Sequence, residues 1–277
     1  MSDREFEFTD KQFKKFQKLI LEHTSITISD EKKELIYGRI ARRLRKLNLD
    51  SFEDYFSIVD SSGSEELESF VNAVTTNLTS FFREKHHFEH LKSTVIPGLL
   101  EHNFSSKKIR IWSAGCSTGE EPYSIAMTLM ESIPDIHTWD VKILATDIDT
   151  EVLSTAMNGV YREDRIDGLS KAQVKQWFKR GKGAKAGYVR VAPELQELIS
   201  FKQLNLLKEW PFRGPFDILF CRNVVIYFDK PTQKVLFKKF AEVVPSYGEM
   251  FIGHSETLHN VSEDFKLMGH TVYQKCA

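Results

Sequence analysis

The sequence lacks the long apolar runs and the charge imbalance that mark several common protein classes. No apolar run approaches the ~20 residues of a membrane-spanning helix, and the amino terminus shows no secretory signal pattern. The formal net charge is −1 over 277 residues, which does not indicate a general binder of nucleic acids or membrane surfaces. We therefore predict a cytoplasmic protein with no direct membrane insertion and no nucleic-acid partner.

Cysteine is also scarce, and its three copies form no CxxC pair. The usual disulfide and zinc patterns are therefore not indicated. The histidines that could suggest a metal are His86, His87, His90 and His254. In the sequence, no carboxylate or cysteine completes a convincing ligand set with them, so we predict no metal site.

What remains is the composition of an ordinary globular protein, with 41% hydrophobic and 28% charged residues. Apolar residues recur at helical spacing in four stretches of the first 75 residues. These stretches include Phe16, Ile36, Phe56 and Phe70. We predict a small all-helical domain over residues 1–75, with a loop at 61–64, followed by a linker and helix over 76–106.

From Lys107 onward the pattern changes to strands that alternate with helices. Apolar runs that predict strands lie at 109–111, 141–145, 216–221 and 248–253. Such alternation is typical of an α/β fold with a doubly wound, mostly parallel sheet. We assign residues 107–277 to this larger domain.

The first of these strands leads into a turn of small residues and then into a helix. Gly115, Ser117 and Gly119 lie in the turn, and apolar residues at helical spacing follow Ser124. A strand that ends in such a turn is where open α/β sheets bind nucleotide-like ligands. The turn lacks the middle glycine of the GxGxxG motif, which disfavours a dehydrogenase.

The second predicted helix carries a basic face. Arg39, Arg42, Arg43 and Lys46 fall on one side of it. One interpretation is an ordinary solvated face, which is what most charge runs are. The other is a docking surface for an acidic partner.

A glycine-spaced loop interrupts the alternation of strands and helices. Gly181, Gly183 and Gly187 form it, and extended segments flank it on both sides. We predict a small antiparallel β-subdomain over about 176–202. The loop is either a flexible surface connection or part of a hairpin whose edge pairs with an extended peptide.

Five segments occur in an order that is typical of one enzyme family. They are TNLTSFFRE at 76–84, WSAGCSTGEEPYS at 112–124, TDID at 146–149, FCRNVVIYF at 220–228 and GHSE at 253–256. In these segments the chain resembles the CheR-type chemotaxis receptor glutamate methyltransferases. The resemblance implies a Rossmann-like fold that binds S-adenosylmethionine. It also implies methyl transfer to glutamate carboxylates of bacterial chemoreceptors, with S-adenosylhomocysteine as the product.

The resemblance implies roles for polar residues near the strand ends. Arg83 would bind the carboxylate of the methyl donor through a forked ion pair. Glu121, with Glu120 as the alternative, would bind its ammonium group, and Asp147 its ribose hydroxyls. Asn205 and Leu206 would flank the adenine. The complete set of expected cofactor contacts is Asn77, Thr79, Arg83, Glu121, Asp147, Asn205, Leu206, Arg222 and Asn223.

Catalysis is expected to depend on orientation rather than on acid–base chemistry. A glutamate with a pKa near ~4.3 is already ionised at neutral pH, so no general base is needed. Arg83, Arg222 and Tyr227 would orient the reacting groups.

The resemblance also implies partners. The helical domain would face the cytoplasmic domain of the receptor through its basic face, and the β-subdomain would bind a C-terminal receptor pentapeptide. We expect a monomer. Two alternatives remain open, a small-molecule carboxyl methyltransferase and a cofactor-binding receptor adaptor without turnover.

Overall fold

The amino-terminal part of the chain is helical in the computed structural model, which describes residues 4–61 and 65–276. Within these residues, α1 to α4 span Asp10–Thr24, Lys33–Leu47, Phe52–Val59 and Glu65–Val74. Thr9 and Gln12 form a capping box at the start of α1, which satisfies backbone N–H groups there. Residues 62–64, most of the predicted loop, lie outside the described residues.

An aromatic cluster holds these four helices together. The rings of Phe16 and Phe56 approach to 4.0 Å between centroids, and Phe16 also packs against Phe52 and Phe70. All four side chains are buried, so the amphipathic faces predicted from the sequence do form one core. Burial of such large rings supplies most of the stabilisation of a small helical domain.

The larger part of the chain contains a mostly parallel sheet. Its strands are β1 (Lys108–Ala114), β2 (Asp140–Asp147), β6 (Ile199–Gln203), β7 (Ile218–Cys221), β8 (Glu249–Ile252), β9 (Phe265–Gly269) and β10 (Val272–Lys275). Within the described residues the strand order is β6-β2-β1-β7-β8-β10-β9. The first five strands in this order are parallel, while β10 and β9 run antiparallel at one edge. The predicted α/β fold class is confirmed.

Helices cover both faces of this sheet. They are α5 (Lys85–His90), α6 (Ile96–His102), α7 (Glu120–Ser132), α8 (Thr150–Asn158), α9 (Lys171–Trp177), α10 (Pro193–Gln196) and α11 (Lys230–Val243). Ile109 and Ile111 of β1 face one core cluster together with α7, whereas Trp112 faces the other cluster with α11. Alternate residues of a strand point to opposite faces, so β1 contributes to both layers. No helix in the described residues is long and apolar enough to cross a membrane.

A three-stranded antiparallel sheet packs against the main domain. It consists of β3 (Val160–Arg162), β4 (Phe178–Arg180) and β5 (Tyr188–Val191), in the order β3-β5-β4. The predicted antiparallel subdomain is thus present, but it begins earlier than residue 176. The assignment of residues 198–202 to it is wrong, because Ile199–Gln203 pairs in parallel with β2 in the main sheet.

Candidate cofactor-binding and active site

A cavity lies between the edge of the main sheet and the helical domain. It collects residues at or just after the carboxyl ends of four parallel strands, namely Gly115 after β1, Asp147 at the end of β2, Arg222 after β7 and Leu204 after β6. Its empty space is about 1140 Å³, part of which is open to solvent. The ends of parallel strands on either side of the first crossover are where doubly wound sheets bind ligands.

This cavity is lined by all ten residues for which we predicted a contact with the cofactor or a role in methyl transfer. They are Asn77, Thr79, Arg83, Glu121, Asp147, Asn205, Leu206, Arg222, Asn223 and Tyr227. The folded chain therefore brings together side chains from five separate stretches of sequence.

A buried ion-pair chain forms one side of the cavity. Glu121 accepts hydrogen bonds from Ser113 Oγ at 2.7 Å and from Arg222 Nη1 at 3.0 Å. The other end of the same guanidinium lies 3.2 Å from Glu84 Oε2 and donates to the backbone carbonyl of Arg83. Burial raises the pKa of Glu121, while Arg222 acts in the opposite direction. Arg222 is thus fixed between two carboxylates, one of which faces the cavity.

The two consecutive glutamates at the start of α7 point to different places. Glu120 is fully buried, accepts from Thr118 Oγ1 at 2.6 Å and pairs with Arg165. Unlike Glu121, it does not line the cavity. The geometry therefore favours Glu121 over Glu120 as the carboxylate available to a bound ligand.

Asp147 ends β2 with its carboxylate held by backbone groups. Its Oδ2 accepts the N–H of Ser117 at 2.8 Å, and its Oδ1 accepts the N–H of Asp149 at 3.1 Å. Burial raises the pKa of Asp147 to about 6. Ser117 has φ 50°, a left-handed conformation, and its hydroxyl donates to the carbonyl of Asn77 at 2.9 Å. The serine at this turn thus ties the Asn77 segment to the β1 turn, which a glycine would not do.

Asp149, to which the sequence analysis gave no role, fixes the segment that carries Asn77. Its Oδ1 accepts the N–H groups of Glu151 and Val152 and so caps α8. Its Oδ2 accepts from Thr75 Oγ1 at 2.6 Å and from Asn77 Nδ2 at 2.7 Å. One buried carboxylate therefore links the end of the helical domain to the cavity; the TDID segment was the available sequence signal.

Glu256 plays a similar part on the opposite side of the cavity. Its carboxylate accepts N–H groups from Gly253 at 2.5 Å, Asn223 at 2.9 Å and Val225 at 3.0 Å. Asn223 has φ 59°, and a Cβ on Gly253 would lie 2.5 Å from Asn223 Nδ2. The GHSE segment therefore shapes the turn that presents Asn223 and Tyr227.

The helical domain forms the remaining wall, which the sequence analysis did not predict. The residues it contributes are Thr24, Ile26, Ile28, Lys32, Leu35, Ile36, Arg39, Val74 and Thr75. Arg39 donates to the carbonyls of Val74 and Thr75 at 2.6 and 2.7 Å and to Thr76 Oγ1 at 3.1 Å. Most of these side chains are apolar, and the charged ones are Lys32 and Arg39, of which Arg39 is bonded within the protein.

The basic face of α2 needs correction in light of these contacts. Arg39 is turned into the cavity wall, and Arg43 makes a two-pronged bond with Glu66 at 2.8 and 2.5 Å. Arg42 and Lys46 remain exposed. The four residues therefore do not form one free docking surface, because two of the guanidinium groups have internal partners.

The expectation that no carboxylate accompanies the histidines is also corrected. Ligand atoms of Glu84, His86 and His87 lie within 4.8 Å of one another. Glu84 also accepts from His254 Nδ1 at 2.7 Å and faces Arg222. These two partners overcome burial and lower the pKa of Glu84 to about 2, whereas burial lowers the pKa of His87 to about 4. An arginine beside the carboxylate is typical of an ion-pair network rather than of a metal site.

The glycine loop lies away from the cavity. Gly181, Gly183 and Gly187 connect β4 to β5, and Gly183 and Gly187 have φ of 59° and 82°. None of the three lines the cavity. Positive φ angles explain why glycine is favoured at two of these positions.

Comparison with known proteins gives consistent matches over nearly the whole chain. Residues 11–75 match the family "CheR methyltransferase, all-alpha domain", and residues 77–274 match "CheR methyltransferase, SAM binding domain". "Chemotaxis protein methyltransferase 2" of Pseudomonas aeruginosa is 44% identical over 98% of this chain and 95% of its own length. "Chemotaxis protein methyltransferase" of Escherichia coli is 43% identical over 96% of this chain and 91% of its own length.

These matches and the fold agree on the class of protein and on its methyl donor. The matched larger domain is one that binds S-adenosylmethionine, and the cavity lies at the strand ends where such a ligand is expected. The prediction of an S-adenosylmethionine-dependent methyltransferase is confirmed, and the chain belongs to the CheR methyltransferase family.

Proposed function

We propose that this protein transfers the methyl group of S-adenosylmethionine to glutamate side chains of chemoreceptors. The products are glutamate methyl esters and S-adenosylhomocysteine. The observation that carries the proposal is the convergence of the ten predicted residues on one cavity at the strand ends. The chemotaxis methyltransferases to which the chain is similar support the choice of receptor as acceptor.

The polar groups of the cavity match the parts of the methyl donor. Glu121 offers a buried carboxylate to the ammonium group, and Arg83 offers a guanidinium to the carboxylate. Asp147 keeps its two backbone donors and accepts the ribose hydroxyls with its remaining lone pairs. Asn205 and Leu206 flank the adenine. Asn77, Thr79 and Asn223 complete the contacts around it.

The cavity residues act on the transfer by holding the reacting groups in line. The bound donor supplies an electrophilic methyl group on a positively charged sulfur. An ionised glutamate oxygen bonds to that carbon while the carbon–sulfur bond breaks, and the sulfur keeps the electron pair. Both charges disappear, so exclusion of water by the apolar wall favours the reaction. Arg83, Arg222 and Tyr227 orient the groups, and no residue accepts a proton.

The acceptor approaches along the helical domain in this proposal. Arg42 and Lys46 supply exposed positive charge on α2, next to a cavity wall that the same helix provides. An acidic segment of the cytoplasmic domain of a chemoreceptor fits this charge. We infer that the protein acts in the cytoplasm and as a monomer.

The antiparallel subdomain is proposed to bind the C-terminal pentapeptide of receptors. Its strand order leaves β4 at an edge, next to the loop that contains Gly181, Gly183 and Gly187. An extended peptide can add to such an edge through backbone hydrogen bonds. Shortening the loop should weaken binding of a receptor-tail peptide; full affinity after that change would remove this part of the proposal.

Methyl-ester formation is the direct test of the proposed function. The protein is incubated with methyl-labelled S-adenosylmethionine and receptor-containing membranes, and base is then added. Release of the label as methanol is expected, because carboxyl methyl esters are hydrolysed by base. Label that resists base, or binding of both partners without transfer, would contradict the proposal. Asp147→Asn provides a control with a weakened donor site.

The absence of a general base is tested by the pH dependence of turnover. At saturating donor and receptor, the rate should not report an essential group that titrates near neutrality. If turnover depends on a group that titrates near neutrality while binding does not change, the proposed mechanism is wrong. The assignment of the methyl-transfer reaction would still stand.

A further inference from the structure

The antiparallel subdomain is bonded to the segment that carries Thr79. Arg165 lies in the 3₁₀ turn Glu163–Ile166, directly after β3. Its Nη2 donates to the carbonyl of Thr79 at 2.8 Å and also bonds to the carboxylate of Glu120. Thr79 lines the cavity, whereas Arg165 does not. One guanidinium from the subdomain therefore reaches both the start of α7 and the backbone of a cavity segment.

Arg165 forms an ion pair with the buried carboxylate of Glu120, so its contact is not confined to the protein surface. The glutamate is fully buried, and Thr118 Oγ1 is its second donor at 2.6 Å. A buried carboxylate is costly unless it is paired and hydrogen-bonded. Arg165 is the ion-pair partner that Glu120 has among the described residues. The ion pair with Glu120 therefore fixes the position of the Arg165 guanidinium, and this position allows the same group to donate to the carbonyl of Thr79.

Aromatic packing holds the Thr79 segment at a second point, Phe81. The ring of Phe81 meets Tyr161 of β3 at 5.2 Å and Phe178 of β4 at 5.4 Å, both edge-on. Tyr161 Oη donates to the carbonyl of Thr118 at 2.6 Å. The subdomain thus grips the segment 79–81 through one polar and one apolar contact, between cavity residues Asn77 and Arg83.

We propose that Arg165 is a positioning residue for methyl transfer, acting on the cavity through the carbonyl of Thr79. The proposal rests on the proposed function and extends it to a residue outside the cavity. Without the guanidinium, the Thr79 backbone loses a donor that comes from a separate part of the fold. Small displacements of groups around a reacting centre lower the rate by up to ~10²-fold. The antiparallel subdomain then supports the transfer site as well as presenting a free edge.

The test separates the bond to Thr79 from the pairing of Glu120. Arg165→Met alone would leave a buried carboxylate without its cation, and the protein could lose stability for that reason. Glu120→Gln removes the charge and keeps the side-chain shape. The informative comparison is therefore Glu120→Gln against Glu120→Gln/Arg165→Met, which differ in the donor to Thr79 but contain no unpaired carboxylate at position 120.

We expect the double variant to unfold at nearly the same temperature as Glu120→Gln. Its kcat with saturating methyl donor and receptor should be about tenfold lower, in line with a modest displacement of the segment. In the Glu120→Gln background, Arg165→Lys should recover part of the lost kcat. An ammonium group donates well to one acceptor but cannot fork to two. Arg162→Met is the matched control, because Arg162 is exposed in the same subdomain and pairs with Asp164.

A second measurement does not depend on turnover. Amide hydrogen exchange of residues 77–83 should become faster in the double variant than in Glu120→Gln, with exchange in the main sheet unchanged. Equal kcat and equal exchange in these two variants would overturn the proposal. If the wild-type protein forms no methyl ester, the proposed function fails, and the exchange measurement still decides whether Arg165 holds the segment.

Discussion

The two walls of the cavity are built on different principles. The wall at the sheet edge carries charged groups with fixed partners, such as Glu121 held by Arg222 and Asp147 held by the N–H of Ser117. The wall from the helical domain is mostly apolar and includes the buried Ile28 and Ile36, with Lys32 and Arg39 as its charged residues. The first wall supplies polar recognition of a charged ligand, and the second excludes water from it.

Because the two walls differ in this way, substitutions in one wall should have different effects from substitutions in the other. Loss of a charge at the sheet edge leaves another buried charge unpaired, which is severe in a region of low polarity. Loss of a contact in the helical wall loosens closure of the cavity, which costs less. Exposed charges beyond that wall should affect only the encounter with the acceptor. The predictions that follow test this order.

The largest effect is expected at Arg222. Arg222→Met leaves the buried Glu121 carboxylate without its cation and leaves the half-buried Glu84 with His254 as its remaining partner. Breaking a buried ion pair by removing one partner costs about 3–5 kcal/mol in stability. Urea unfolding monitored by fluorescence measures this loss, with exposed Arg42→Met as the control. A loss below about 1 kcal/mol would mean that the sheet-edge wall does not depend on its ion pairs.

Arg39→Met should have the next largest effect. It removes a charged donor from the carbonyls of Val74 and Thr75 and from Thr76 Oγ1. Hydrogen bonds to charged groups contribute about 1.5–3 kcal/mol, so we expect a loss of about 2 kcal/mol in unfolding free energy. Arg39→Lys should restore part of it. If stability is unchanged and only the receptor KM rises, Arg39 is a docking residue and its internal bonds contribute little.

Affinity for the methyl donor should fall at acid pH because of the sheet-edge wall. Burial raises the pKa of Asp147 from 3.8 to about 6 in the unliganded protein. The ribose hydroxyls require the ionised carboxylate, so binding must release a proton below that pH. The Kd for S-adenosylmethionine should therefore rise towards about tenfold per pH unit as pH falls below 6.

Isothermal calorimetry between pH 5 and 8 measures this dependence, and Asp147→Asn is the control. The variant should bind more weakly at neutral pH and show a shallower slope. A slope that remains belongs to other groups such as Glu121, whose pKa is also raised by burial. An unchanged slope in Asp147→Asn would show that Asp147 does not titrate with binding.

The sheet-edge wall could be predicted from the sequence because its residues follow recognisable strands. Asp147 and Arg222 come directly at or after apolar runs, and parallel strands bring their carboxyl ends together. The helical wall could not be predicted in this way. Ile28 and Leu35 have the same apolar periodicity whether they face a core or a cavity, and nothing local distinguishes the two.

The errors in the sequence analysis have similar causes. Periodicity placed Arg39 and Arg43 on one face of α2, but it could not reveal Glu66 or the carbonyl of Val74 as distant partners. The predicted β-subdomain over about 176–202 takes in most of Ile199–Gln203, but the pairing of this strand with β2 depends on a crossover that no local pattern records. Contacts between residues far apart in the chain are the information that was missing.

The smallest effect is expected on the exposed part of the basic face. Arg42→Gln and Lys46→Gln should change the unfolding free energy by less than about 0.5 kcal/mol and leave affinity for the methyl donor unaltered. The KM for receptor should rise a few-fold at low ionic strength, and the difference should fade with added salt, because exposed charges are screened. Lys11→Gln on α1 removes an exposed charge elsewhere in the same domain and serves as the control. If all three variants raise the receptor KM equally, general charge attraction and not the α2 face guides the acceptor.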